Sequence, residues 1–368
     1  MKKSLLIVLM GILTILSLGK DTLAQKKRPS PELLNDIEIM ETVLDKLIKP
    51  NSSPDFFMWG RNSRGFYLLD YGVIFNINYS LLDEGLVEFR FDDFIKARGN
   101  ETYYLKKDNE KKIEVIKEKE MEQLKSSLAR FLGSYASTIR DLQADENVSV
   151  IVDFNGFTGN FSRWHAGTPK QLIASIKMAE LQNFRQGKIA EAVFQNAIKY
   201  ANINTFDEDI SILGNVIKTS LEHVDEPKAF GLASDIKGVH FKGYGVLFIT
   251  NINWGFAEMR PLIFDDQHQE QIALSIASSE RDKSAKNRDI DLKHFEQKLV
   301  RSISNYGHTL RNMQPDEWVE LAVSFKGAPV MEKYSKSIIK VKKKSIDDFY
   351  RDRITFDQFQ KLVQIFYY

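Results

Sequence analysis

Apolar and polar residues alternate along the chain with two periods, and the same succession of patterns occurs twice. Apolar side chains in segment 37–47 are three or four positions apart, which predicts an opening helix. Segment 121–142 carries a longer stripe with the same spacing, and segment 148–154 places apolar residues at every second position on one face of a predicted strand. Segments 210–221, 295–313 and 319–325 repeat these three patterns in the same order.

The residues themselves repeat as well as the pattern. Segment 65–75 matches 238–248 at a separation of 173 positions, and segment 135–156 matches 306–327 at 171. A third block, 181–195, matches 346–360 at 165. Three blocks in one order with small gaps between them indicate a tandem duplication of one module.

The patterns predict an α+β fold in which each module has the order roughly α-β-β-α-β-β-α, with helices packed on one side of a small sheet. The predicted divisions are a signal peptide at 1–24, a first module at 25–203 and a second module at 204–368. A pair of ribonuclease-H-like domains has a comparable order of elements and stays open as an alternative.

Large aromatic residues and one glycine recur at matched positions, and a shared core with a shared turn explains them. The glycine is expected to open the strand at 73–77, which is apolar on both faces and is therefore predicted to be covered on both. These residues are Tyr71, Gly72, Phe75, Tyr135 and Phe154 in the first module and Tyr244, Gly245, Phe248, Tyr306 and Phe325 in the second.

Three local patterns near the C-terminus make specific predictions. Lysines alternate with β-branched residues over 336–344, which is typical of an edge strand protected from further pairing, although a basic ligand patch has the same composition. Thr355 and Gln358 have the spacing of a capping box. Residues 364–368 align with the region of Lys199 and Tyr200, and we expect them to be the end of a helix.

The first 24 residues resemble a secretory signal. Lys2 and Lys3 precede an apolar run from 5 to 18, and small residues at 22–24 offer a cleavage site. The run is shorter than the ~20 residues of a comfortable spanning helix, although an uncleaved N-terminal anchor is the alternative. The pattern predicts a periplasmic or secreted protein without a later transmembrane span.

Charge and cysteine content narrow the classes of partner and of chemistry. The chain has 51 basic and 50 acidic residues, and a balance this even gives no electrostatic reason to expect nucleic acid. Cysteine is absent, which excludes disulfides, thiolate catalysis and thiolate-bound zinc. A cysteine-free exported chain is consistent with a bacterial envelope protein.

Among the sequences that the modules share, Phe-Asp-Asp is the best candidate for a site with chemical function. Asp92 and Asp93 match Asp265 and Asp266, and the second pair is followed by two further possible metal ligands, His268 and Glu270. Paired carboxylates can bind a hard cation, but Asp also ends strands and starts turns, and we favour the turn. The candidates for a metal site are Asp265, Asp266, His268 and Glu270.

No catalytic or phosphate-binding motif occurs, and no cofactor is expected. The sequence therefore favours an exported, non-catalytic envelope protein that binds or scaffolds an unidentified envelope protein or ligand through the groove between two pseudo-equivalent domains. The alternative is a periplasmic hydrolase, metal-assisted or not, that uses the acidic pairs and His268.

Overall fold

The computed structural model describes residues 29–48, 62–79, 94–96, 103–105, 107–154, 169–205, 207–222, 230–232, 236–254, 281–326 and 334–368. The predicted signal segment and the acidic pairs lie outside them.

Two similar modules, each a mixed sheet packed with helices, make up the fold, as the duplication predicts. The first contains α1 (Pro31–Leu47), β1 (Ser63–Leu68), β2 (Gly72–Tyr79), β3 (Phe94–Lys96), β4 (Tyr103–Leu105), α2 (Lys107–Arg130), β5 (Asn147–Phe154), β6 (Gln171–Lys177), α3 (Met178–Arg185), α4 (Glu191–Ala197) and β7 (Lys199–Ile203). The second contains α5 (Glu208–Glu222), β8 (Phe230–Leu232), β9 (Lys237–Phe241), β10 (Gly245–Trp254), α6 (Arg281–Tyr306), β11 (Trp318–Lys326), β12 (Lys336–Lys342), α7 (Lys343–Tyr350), α8 (Phe356–Leu362) and β13 (Gln364–Tyr367).

Strand order is the same in both sheets. The first sheet has the order β1-β2-β5-β6-β7, and β2 runs parallel to β5 with Gly72 opposite Asn147. In the second sheet β13-β12-β11-β10 follow each other, and β10 runs parallel to β11 with Gly245 opposite Trp318. The free side of β10 pairs with β9 and β8. Matching registers at the parallel pair confirm that one module was duplicated.

Each sheet buries both of its faces, and the two modules pack sheet against sheet. In β2, Val73 and Phe75 belong to the core beneath the helices of the first module, while Ile74 belongs to a different core between the sheets. In β10, Phe248 and Leu247 divide in the same way. Helices therefore cover only the outer face of each sheet, and the predicted two-sided burial of segment 73–77 is confirmed.

The opening helix α1 shows how local chemistry sets an element. The Ser30 hydroxyl accepts a hydrogen bond from the Leu33 backbone N–H at 3.1 Å, and Pro31 starts the helix where its missing N–H costs nothing. Ile37 and Leu44, both fully buried, lie on the face that packs on the sheet.

In both modules an aspartate of the first helix forms an ion pair with an arginine. Asp36 pairs with Arg140 and Asp209 pairs with Arg311, each at 2.7 Å.

Gly72 and Gly245 are required at the start of the parallel strands. Their φ angles are +120° and +149°, a region that side chains rarely adopt. A Cβ would lie 2.2 Å from the Asn147 carbonyl oxygen in the first module and 1.9 Å from that of Trp318 in the second. The backbone therefore approaches the neighbouring strand more closely than any side chain allows.

The long stripe of segment 121–142 extends beyond helix α2. The helix ends at Arg130, after which Phe131–Tyr135 form a π-helical turn and Ala136–Thr138 a 3₁₀ turn. Leu128, Phe131 and Ile139 are all buried across these changes of helix type. The predicted capping box is confirmed: the Thr355 hydroxyl accepts from the Gln358 N–H, and the Gln358 side chain accepts from the Thr355 N–H.

Three sequence-based predictions are wrong. Residues Gln364–Tyr367 form strand β13 rather than a helix end, and their counterparts Lys199–Ile203 form β7. Strand β12, which carries the alternating lysines, is not an edge strand because it lies between β11 and β13. Tyr306 is 47% exposed and lies outside the core of the second module. The other matched residues lie in the cores or pack against them: Tyr71, Phe75, Phe248, Tyr135, Phe154, Tyr244 and Phe325.

Candidate functional site

The residues that the sequence predicts as candidate metal ligands or catalytic groups lie outside the described parts of the chain. Asp92 and Asp93, and the metal candidates Asp265, Asp266, His268 and Glu270, all belong to this class. Within the described residues, no three His, Asp or Glu side chains converge as metal ligands would. The search for a site therefore turns to the surfaces that the two modules present to each other and to solvent.

Matched polar triads meet where the two sheets face each other. In the first module the Tyr71 hydroxyl lies 2.7 Å from the Ser149 hydroxyl, which lies 2.8 Å from that of Ser175. The second module has a tyrosine and a charged pair at the same positions. Tyr244 donates to Glu320 at 2.9 Å, and the Lys340 Nζ lies 3.0 Å from the same carboxylate oxygen. The two triads thus have similar geometry, with two serines in the first module where the second has an ion pair.

The charged triad of the second module contacts the first module across the interface between the two sheets, which we call the joint. The Lys340 ammonium donates to the Leu69 carbonyl of the first module at 3.1 Å. The Tyr244 hydroxyl also lies 3.1 Å from this carbonyl, and its single proton is shared between Leu69 and Glu320. Burial raises the pKa of the Glu320 carboxyl, although Lys340 and Tyr244 act in the opposite direction. Glu320 is fully buried, so solvent-borne ligands do not reach it. This arrangement is suited to holding two sheets together.

Two further ion pairs span the joint. Lys336 contacts Glu41 at 2.6 Å with both side chains almost fully buried, and Lys237 lies 3.5 Å from Asp153. The buried lysines of β12 therefore serve contacts with the first module and are unavailable as a basic ligand patch. A core of apolar side chains fills the rest of the space between the sheets. The described parts of the two sheets are therefore in contact where they face each other, and binding through a groove between the domains stays a prediction.

An open cleft lies on the outer side of the second module, where α6 meets α8 and β13. Its volume is 220 Å³. Val300, Val363 and Ile365 contribute apolar surface, and Gln297 and Gln360 contribute amides. Lys293 and Glu296 are its ionisable groups. The cleft combines an apolar lining with a few polar groups, as binding sites do.

Glu296 is the chemically distinctive residue of this cleft. Its side chain is half-buried, and its carboxylate makes no hydrogen bond with any residue that the structure describes. Burial raises its pKa to about 7, and Lys293 offsets the rise only in part. A carboxylate with this pKa exists in both protonation states near neutral pH, so it is able to accept or to donate a hydrogen bond there.

The first module has a different composition at the same place. Lys125 stands where Glu296 stands, and it is paired with Glu122 at 2.9 Å. Tyr200 occupies the position of Ile365 and donates a hydrogen bond to the Lys125 carbonyl at 3.2 Å. The Lys125 ammonium lies 6.0 Å from the centroid of the Tyr200 ring. Internal contacts thus engage Lys125 and Tyr200 in the first module, whereas the described part of the chain offers the Glu296 carboxylate no hydrogen-bond partner and leaves it to solvent.

Sequence reasoning missed this cleft, but the alignment contained a signal for it. At a separation of 171 positions, Glu122 and Lys125 correspond to Lys293 and Glu296, so the charges are exchanged between the modules. In the sequence alone, the pair in each module has the spacing of an ordinary i,i+3 ion pair on a helix, so the exchange of charges does not by itself indicate a cleft. The Lys293 and Glu296 pair differs from an ordinary one because Ile365 stands where the first module has Tyr200. The segments that contain Glu296 and Ile365 come together only in the folded chain.

Comparisons with known proteins identify no family. No protein-family profile matches the chain, and no curated protein matches it. The solved structure of the Sex pheromone staph-cAM373 precursor aligns with 89% of this chain and 82% of its own, at 9% sequence identity and a TM-score of 0.20. A TM-score this low carries no conclusion about fold or function.

Proposed function

We propose that the chain is an exported, non-catalytic envelope protein, a binding module whose ligand site is the cleft of the second module. The single observation that carries this proposal is the difference between the modules at matched positions. Lys125 and Tyr200 are satisfied by internal contacts, whereas Glu296 and Ile365 face an open cleft. A half-buried acid that has no hydrogen-bond partner among the described residues lowers stability when it ionises, and such costs are typical of sites that serve a ligand.

The contacts in the joint also support the proposal that the ligand site lies on an outer surface. Buried ion pairs and an apolar core fix the two modules to each other, which leaves outer surfaces for recognition. Along the described part of the chain, no helix is both long and apolar enough to cross a membrane. The placement in the periplasm or outside the cell rests on the first 24 residues, and the alternative of an N-terminal anchor would keep the same cleft exposed.

Site-specific photo-crosslinking in the producing cell tests the proposal. A photoreactive amino acid replaces Gln297, which is exposed at the rim of the cleft, and the matched control replaces Ser126, its exposed counterpart in the first module. We expect a discrete adduct from position 297 and none from position 126. Equal adducts from both positions, or none from 297, would contradict the proposal.

A further inference from the structure

We infer that the cleft of the second module receives an aliphatic primary ammonium group, namely a lysine side chain of a partner protein. This inference rests on the proposed function, since it names the chemistry of the ligand for the same site. The observations are the lining of the cleft, its volume and the contacts at the matched position of the first module.

The lining matches the two parts of a lysine side chain. Val300 is 5% exposed, and with Val363 and Ile365 it forms the apolar part of the cleft. A four-carbon stem packs on such a surface while its charged end reaches a polar group. The Glu296 carboxylate lies on the same cleft and has accepting capacity that no described residue uses. An ammonium brings three donors and neutralises the carboxylate.

The volume limits the size of the group that binds. Sites for whole small molecules usually occupy about 300–1,000 Å³. The cleft has 220 Å³ and is open to solvent, so it suits one side chain of a larger partner. Carbonyl oxygens of Gln297 and Gln360 supply further acceptors for the ammonium at the rim.

The first module already shows an ammonium at this place. Its own Lys125 lies beside the Glu122 carboxylate and near the ring of Tyr200. In the second module the two charges are exchanged: Glu296 stands at the position of Lys125, Lys293 stands at the position of Glu122, and Ile365 replaces the ring of Tyr200. A lysine from a partner restores the same combination of ammonium, carboxylate and apolar surface.

Charges around Glu296 set the expected dependence on pH. On α6 the facing charge is Lys293, while α8 and β13 contribute Gln360, Val363 and Ile365, none of which titrates. The carboxylate ionises at about pH 7, and an ammonium ligand binds the ionised form. Binding should therefore strengthen about tenfold from pH 6 to pH 8, over which the ionised fraction rises by about that factor.

Calorimetric titration of the full chain with Nα-acetyl-lysine amide tests the inference. We expect saturable binding in the millimolar range, because a single side chain supplies little contact area. The norleucine analogue keeps the stem and lacks the ammonium, and the glutamate analogue reverses the charge. Both should bind at least about tenfold more weakly than the lysine analogue.

Three variants separate the ammonium from other ligands. Glu296→Gln, which keeps shape and removes charge, should weaken lysine binding about tenfold and remove its pH dependence. Lys293→Ala removes a competing cation and should strengthen binding, whereas an anionic ligand would bind more weakly to that variant. Lys125→Gln, the matched change in the first module, should leave binding unchanged. Thermal melting of each variant verifies that it folds.

Several results would overturn the inference. These are equal binding of the norleucine analogue, preference for the glutamate analogue, absence of lysine binding, or lysine binding that Glu296→Gln does not weaken. Each of them leaves the crosslinking test at Gln297 free to succeed, so failure of the ammonium inference is distinguishable from failure of the cleft as a binding site.

Discussion

The ring of Tyr71 lies 5.0 Å from the ring of Tyr244, its counterpart 173 positions later, with an angle of 55° between the planes. Two copies of one residue meet at the centre of the joint, where each tyrosine anchors the polar triad of its own module. This contact indicates that the modules pack through equivalent surfaces, as the subunits of a symmetric dimer do.

Removal of one charge from the second triad should be more damaging than removal of both. Lys340→Met leaves the buried Glu320 carboxylate without its ammonium and should lower the free energy of unfolding by about 3–5 kcal/mol. Adding Glu320→Gln should restore part of the loss. Ser175→Ala, at the matched position of the first module, should cost only about 1 kcal/mol. Chemical denaturation measures all three, and a double variant less stable than Lys340→Met would contradict the expectation.

The parallel strands should tolerate no side chain where they begin. Gly72→Ala and Gly245→Ala combine a positive φ angle with a clash against a backbone carbonyl, and each should cost about 2 kcal/mol or more. Gly187→Ala is the control, because its φ is +67° and a Cβ there would meet nothing within 4 Å. It should cost only about 1 kcal/mol in thermal or chemical unfolding. Equal losses at all three positions would show that the close approach is unimportant.

Two aspartates should make equivalent contributions that disappear in acid. Hydrogen bonds from Arg140 lower the pKa of Asp36, and those from Arg311 lower the pKa of Asp209. A lowered folded-state pKa gives stability that is complete above the ordinary value near 3.8 and is lost as the pH falls through the folded-state value. Asp36→Asn and Asp209→Asn should therefore lower Tm by similar amounts at pH 7, and both losses should shrink progressively as the pH falls below 3.8. A large difference between them at pH 7 would contradict the equivalence of the modules.

Glu296 should destabilise the folded chain progressively as the pH rises. Burial raises its folded-state pKa to about 7 from the ordinary 4.5, so folding favours the protonated acid. The stability from that form is complete below about pH 4.5 and is lost as the pH rises through 7. Glu296→Gln should match the Tm of the unaltered chain at pH 4.5 and exceed it at pH 8. A difference in Tm that does not change with pH would contradict the raised pKa.

Local sequence patterns predicted elements well where neighbouring residues determine them. The capping box at Thr355 and Gln358 depends on four residues in a row and appears as predicted. The two-sided burial of segment 73–77 also follows from its composition. Strand order does not follow from local pattern: the alternating lysines predict an edge strand, whereas β12 pairs with β11 on one side and with β13 on the other. Alignment of residues 364–368 with Lys199 and Tyr200 predicts a helix end, whereas Gln364–Tyr367 pair with β12 as a strand.

The joint and the cleft depend on contacts that lie far apart in the chain. Glu41 pairs with Lys336 across 295 positions, and no periodicity links them. The cleft depends on Glu296 and Ile365, which the fold brings to one place and the alignment treats separately. Tyr306 aligns with Tyr135 and yet is exposed, so shared identity between modules is not sufficient evidence of a shared core.

A variant that rebuilds the first module's contacts in the second tests the central claim most directly. Lys293→Glu, Glu296→Lys and Ile365→Tyr together introduce the residues of Glu122, Lys125 and Tyr200, including the ion pair of the first module. Crosslinking from position 297 is then measured in the producing cell. The cleft account predicts that the adduct disappears while the Tm stays at or above that of the unaltered chain. An undiminished adduct in a folded variant would contradict the claim that this cleft is the binding site.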